Sequence, residues 1–406
     1  MTRLRIPALL VGLALIGAGC GLGTVSSSAS ASGSAGASAS GSALPSGMAT
    51  TLPPAEDELD LVIWVGYAED GSTDPAYDWV TPFEKDTGCK VKSTDGRDSA
   101  NMVSLMATGQ YDGVSASGDA TLRMIAAGTV APVNLDLIPN YANVFDGLKG
   151  QPHNTVNGVS YGTPHGRGAN LLLYNTDTFK TAPTSWDVVW NADSPAAGKI
   201  SMYNSSNTIA DAALHLKVTK PELGIDDIYQ LNDEQFNAAI DLLKQQKAIV
   251  GEYWNFATDQ ITSFGNKDML AGESWQYQLN NMPEGAPVAI TKPAEGTTGW
   301  SDTWMISSTA KHPGCMYRWM NWMLSPEANA LATIYFGEAP VSQEACDAAE
   351  AISPGHCEAY HATDESYFSD VHFWSTPRED CNDTDPATTC KDVQAWIDAW
   401  TTVTGG

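Results

Sequence analysis

The residues best placed to do chemistry lie in Thr298–Ile306, TGWSDTWMI. Read as one strand, its side chains alternate between faces, so Trp300, Asp302 and Trp304 share a face. A carboxylate between two indoles suits an ammonium group, which ring faces attract and the carboxylate neutralises. The competing reading packs Trp300 and Trp304 in a core and leaves Asp302 to cap a turn. Nothing reads as catalytic machinery. Gly113–Gly118, GVSASG, lacks the G-x-S-x-G spacing of a nucleophile elbow. No HExxH signature and no CxxC pair is present. No catalytic residue, metal or cofactor is therefore expected, and a secreted hydrolase would lack a nucleophile.

The chain around this stretch has 406 residues, room for two to three domain-sized units. Its net charge of −27 argues against nucleic acid and anionic membrane surfaces as partners and is compatible with collecting cations. Residues 1–19 carry Arg3 and Arg5, then the apolar run Ile6–Ile16 and small residues. This is the pattern of a secretory signal, too short to span a bilayer. The small residues before Cys20 resemble a bacterial lipobox, with Gly17 where that pattern prefers a Leu-like residue. Acylation of Cys20 is expected, so the chain would be exported and would touch the membrane through its lipid anchor only. Residues 20–56 read as a Ser/Ala/Gly-rich tether that builds no core. Six further cysteines fit disulfides in an exported chain, with 15 possible pairings. Proximity favours Cys346–Cys357 and Cys381–Cys390, leaving Cys89–Cys315.

The folded body begins at Leu59. Leu59–Val65 is an almost continuous apolar run, the mark of a buried parallel strand. Helical patterns at Pro75–Thr87, Ala100–Thr108, Ala120–Ala127 and Glu234–Gln245 alternate with short strands, predicting an α/β body on a parallel sheet. Ligands of such sheets sit beyond the C-terminal strand ends. Trp64, Tyr67, Ser117 and Asp119 fall there. Ser160–Tyr174 reads as a crossing from one unit to another, and Trp300–Ile306 as the return. Trp79, Phe83, Trp319 and Trp322 lie on helices and read as core; Trp254 fits either role.

Several motifs together carry a resemblance: WVGY, FEKDTGCKV, YDGVSAS, IPNYANV, TSWDVVW with PAAGKIS, LAGESW, GWSDTWMIS, and WMNWMLSPEAN before FGEAP. In this order, over Leu59 to about Trp374, the chain resembles bacterial extracellular solute-binding proteins of ABC importers, of the spermidine/putrescine-binding branch. The resemblance implies a two-lobed, type II periplasmic-binding-protein-like α/β fold with hinge crossover strands, acting with a permease and an ATPase. One lobe would comprise 57–164 plus 300–340, the other 165–299 plus 341–404, in a monomer. Trp64 and Tyr67 match cleft aromatics, and Ser117 a cleft serine. Trp275 and Trp300 match tryptophans that sandwich the ligand's aliphatic part, and Asp302 the carboxylate that pairs with an ammonium. Where the polyamine binders carry acids after the strand matching Ile200–Tyr203, this chain has Ser205 and Thr208. Asp119 and Glu338 are extra acids, standing where the family can have aromatics. Arg167 would lie at the hinge. It would either read the carboxylate or phosphonate of a zwitterionic or anionic solute such as an amino acid or opine, or ion-pair with an acid such as Asp302 or Glu338.

Overall fold

Leu59, Leu61, Val62 and Ile63 are fully or almost fully buried in the strand Glu58–Ile63, as a continuous apolar run requires. The structure, a computed structural model, describes residues 45–381 and 389–405. The signal segment, Cys20 and the tether up to residue 44 lie outside the described residues. Two five-stranded sheets organise the body. The first runs Lys90–Asp95, Glu58–Ile63, Gly113–Ala116, Thr303–Ile306, Thr163–Pro164. Its first three strands are parallel, and Thr303–Ile306 is antiparallel to both neighbours. The second runs Val250–Trp254, Ile200–Tyr203, Ala271–Ser274, Leu171–Asn175, Val288–Thr291, parallel over its first three strands and antiparallel over the rest. Both sheets are thus mixed rather than parallel: the chain re-enters each sheet from a crossing segment, against the direction of the βαβ units.

A third sheet joins them. Thr297–Trp300 lies between Gly168–Ala169 and Val371–Phe373. Thr163–Pro164 belongs to the first sheet and Gly168–Ala169 to the joining one, so His165, Gly166 and Arg167 span the crossing. The return crossing differs from the single strand expected there. TGWSDTWMI is two strands, Thr297–Trp300 and Thr303–Ile306, in different sheets with a break at Ser301–Asp302. Strand alternation therefore does not run through the stretch. Trp300 packs into the second sheet's core and Trp304 into the first's, so no single face carries Trp300, Asp302 and Trp304.

The tether also ends earlier than 56. Asn134 holds the Ala49 carbonyl, Arg318 holds the Pro53 carbonyl, and both Glu56 oxygens take backbone N–H groups at the start of helix Pro313–Met323. Backbone and side-chain hydrogen bonds dock this polar segment where apolar composition could not. The three disulfides pair as expected, with Cα–Cα separations of 5.8–5.9 Å. Trp79, Phe83 and Trp319 are core, and Trp322 is partly buried, donating to the Trp79 carbonyl. Among the described residues no helix is long and apolar enough to cross a membrane. Asp60, Asp112 and His312 approach one another, but Asp112 is already occupied by three backbone N–H groups and the His312 ring.

Candidate functional site

Gly66, at φ +90°, turns the chain sharply after the first strand and sends Tyr67 inward. Ser117 follows the strand Gly113–Ala116 as the N-cap of helix Gly118–Ala126. These two hydroxyls converge on the buried carboxylate at the strand break. Tyr67 donates to Asp302 Oδ2 at 2.7 Å and Ser117 to Oδ1 at 2.6 Å. Asp302 is 3% exposed, and burial raises its pKa to about 6 against the lowering effect of these bonds.

Glu338 stands beside it. Its side chain is fully buried, neither carboxylate oxygen has a hydrogen-bond partner, and burial followed by the nearby Asp302 holds its pKa well above the carboxylate range. The group facing it is His165, with Nε2 at 3.2 Å. Burial pushes the pKa of His165 down to about 3. Its ring also stacks on Tyr67, centroids 3.9 Å apart, so Tyr67, His165, Asp302 and Glu338 form one buried cluster.

Around the second sheet, which with its core forms the second lobe as the first sheet with its core forms the first, stand two more acids. Glu273, in the strand Ala271–Ser274, is 2% exposed with Oε2 unpartnered. Its pKa is held well above the usual range by burial and then by Asp211. Asp211, on helix Thr208–Thr219, is raised to about 7 by burial although Thr298 donates to it at 2.5 Å. Thr298 in turn accepts from Asn170, which accepts from the Trp275 indole at 2.9 Å. Tyr203, at the end of its strand, feels Asp119, Glu273 and Asp302 together, all raising its pKa after burial. Among the described residues no lysine or arginine forms an ion pair with Asp302, Glu338, Asp211 or Glu273. Buried carboxylates without a cation are costly, and an incoming cation relieves that cost.

Aromatic rings surround these acids. Tyr203 packs against Trp254, Trp275 and Trp374 with centroids 4.6, 5.5 and 5.9 Å away. Trp254 is buried and donates to the Glu273 carbonyl. Trp275 and Trp300 meet edge to face, 6.2 Å apart at 73°, and so do not flank a parallel slot as the expected sandwich requires. A cavity of about 340 Å³ opens beside this cluster, lined by residues of both lobes including Trp64, Asp119, Tyr203, Ser205 and Trp374. Asp302, Trp275 and Trp300 are not among its lining residues. Asp119 accepts from Ser99, while Thr208 is buried, its hydroxyl spent on the Tyr203 carbonyl.

Arg167 lies elsewhere. Its guanidinium stacks 3.7 Å from the Phe368 centroid, donates to the Ala362 carbonyl and pairs with Glu365. Its partner is therefore Glu365, not Asp302 or Glu338, because the crossing strand turns the side chain toward the helices that come after Glu338. Sequence reasoning missed Asp211, Glu273, Tyr203, His165 as a neutral neighbour, and Trp374. Two signals were present: an acid inside the apolar run Ile209–Leu216, and an acid inside the strand AGES.

Comparison with known proteins places residues 78–359 on the model of the bacterial extracellular solute-binding protein family. A putrescine/agmatine-binding protein of Pseudomonas aeruginosa is 24% identical over 282 residues, 64% of this chain and 75% of the relative. A spermidine/putrescine-binding periplasmic protein of Haemophilus influenzae is 26% identical over 290 residues, 70% of this chain and 75% of the relative. A spermidine/putrescine transporter substrate-binding protein of Streptococcus pneumoniae superposes with a TM-score of 0.65 at 17% identity, covering 86% of this chain and 98% of its own.

Proposed function

The chain belongs to the bacterial extracellular solute-binding proteins, and from that membership we propose that it is the capture subunit of an ABC importer for a small amine of the putrescine–spermidine class. One observation carries the choice of solute. Asp302, Glu338, Asp211 and Glu273 are acids raised in pKa by burial, none ion-paired to a lysine or arginine among the described residues, in a cluster ringed by indoles and tyrosines. An ammonium would neutralise the carboxylates, and a methylene chain would lie against the rings. Polyamine-binding relatives support the same class. Asp302, held by Tyr67 and Ser117, is the anchor for one ammonium, and the Asp211–Glu273 pair offers a locus for the other. Trp64, Asp119 and Ser205 line the way in. The solute would pass to a membrane permease driven by an ATPase, with the monomer held to the membrane by acylated Cys20.

Arg167 pairs with Glu365 and stacks on Phe368, outside the Asp302 cluster, which supports the amine reading over an anionic solute read by Arg167. Titration of the purified protein with putrescine, spermidine and agmatine, beside a panel of amino acids, opines and phosphonates, tests the assignment. Saturable heat and a raised melting temperature with amines alone are expected. Stabilisation by amino acids or phosphonates alone would overturn the amine reading while leaving the importer role.

A further inference from the structure

The segment after the joining strand Val371–Phe373 belongs to one lobe by its anchors and to the other by a single seam. It lies beyond the residues matched by the family model. On the second lobe, Tyr229 donates to the His372 carbonyl, Gln230 to the Thr376 carbonyl, and the Trp374 indole is buried in the core against Tyr203, the two rings 5° from parallel. The disulfide Cys381–Cys390 and helix Val393–Thr404, which buries Trp396 and Trp400 in the same core, secure the C-terminal end of the chain. On the first lobe the segment meets the start of helix Gly118–Ala126 and its neighbour His153. The Thr376 hydroxyl faces the carbonyls of Asp119 and Gly118 at 2.9 and 3.2 Å. The Trp374 carbonyl packs so closely on Gly118 that any side chain there would overlap it. Phe373 meets the His153 ring edge-on at 6.3 Å.

We propose that Val371–Thr376 is an interlobe latch: its backbone seats on Gly118 when the lobes meet, holding the cleft shut with Trp374 as a wall of the cavity that leads to the solute site. Three features make the seam a latch rather than ordinary packing. Gly118 has helical backbone, so glycine is not required by its φ; it is required by the approach of the opposite chain. The seam falls between Ser117, which holds Asp302, and Asp119, which lines the cavity, so closure and the solute site share one turn of backbone. Trp374 lines the same cavity. The inference rests on capture between two lobes, and not on the solute being an amine.

Gly118→Ala tests it. Alanine favours the helix by up to about 1 kcal/mol, set within the first lobe against a slight shift of His153, whose Cβ would lie 3.1 Å from the added methyl, while the overlap with the Trp374 carbonyl is far more severe. The added methyl props the seam open. Small-angle scattering of the solute-free full chain is expected to show a larger radius of gyration for Gly118→Ala than for wild type. Putrescine titration is expected to show at least a tenfold loss of affinity, carried by faster release. Thr376→Val, which removes only the hydroxyl, is expected to act in the same direction and more weakly. An unchanged radius of gyration in both variants overturns the latch. Failure of putrescine to bind the wild type would strike the amine assignment alone, since the scattering comparison needs no solute.

Discussion

The indole N–H of Trp304 donates to Nδ1 of His165 at 2.9 Å. An indole nitrogen can only donate, so Nδ1 carries no proton and the ring proton sits on Nε2, facing Glu338 at 3.2 Å. His165 is thereby locked neutral: protonating it would break the bond to Trp304 and place a charge in a fully buried site. The carboxyl of Glu338 faces a neutral donor rather than a cation. Nitrogen-15 spectra of the His165 ring should show the Nε2–H tautomer throughout pH 5–8, with no titration until far more acidic conditions. An imidazolium at pH 6 would mean that Glu338 already has its counter-charge and is not open to an ammonium.

Asp302→Asn removes one charge while keeping the shape that Tyr67 and Ser117 grip, since both hydroxyls can turn to satisfy an amide. Putrescine binding should weaken by about 2–5 kcal/mol, the cost of losing one partner of a buried charge pair. The melting temperature without solute should hold or rise, because the variant buries one carboxylate fewer. Calorimetry and thermal unfolding on the same preparation check both parts. An affinity within threefold of wild type would place the solute away from Asp302.

Local forces are legible in the sequence and long-range ones are not. The run Leu59–Val65 announces its strand because burial on both faces leaves no polar position, and strand ends then locate Tyr67 and Ser117. The break at Ser301–Asp302 was not legible, because nothing in WSDTW forbids a continued strand; the change of sheet is set by pairing with Gly168–Ala169 on one side and Gly113–Ala116 on the other. Arg167 was legible as a hinge residue but not by its partner, since Glu365 lies 198 positions later and only the fold brings it close. Glu273 was visible within LAGESW, yet the tryptophan two positions on drew the functional reading. Segment 45–56 looked like linker because composition reports the lack of a core, not hydrogen bonds to someone else's.

Arg167 is expected to matter for stability and hardly for the solute. Its guanidinium is buried against Phe368 with a planar stack that lysine cannot reproduce. Arg167→Lys should lower unfolding stability by about 2 kcal/mol, the value of a desolvated cation–π contact, and leave putrescine affinity within threefold. Urea unfolding and calorimetry separate the two readouts. Lost binding at unchanged stability would return Arg167 to the solute site.

The raised acids make binding and stability move oppositely with pH. Asp302 titrates at about 6 and Asp211 at about 7 in the folded chain, both above an ordinary aspartate because burial disfavours the charged form. A carboxyl raised on folding contributes stability that is complete below its unfolded pKa of about 4 and is lost as pH rises through the folded value. The solute-free protein should therefore melt higher at pH 5.5 than at pH 7.5, as far as these two groups govern it. An ammonium needs the ionised forms, so its binding must expel whatever protons they hold. Putrescine affinity should fall by about tenfold per pH unit for each group still protonated, over the window from about 7 down to 5. Titration at pH 6.5 in two buffers of different ionisation enthalpy should reveal net proton release. Binding that neither releases protons nor varies between pH 5 and 8 would mean that these carboxyls do not face the solute.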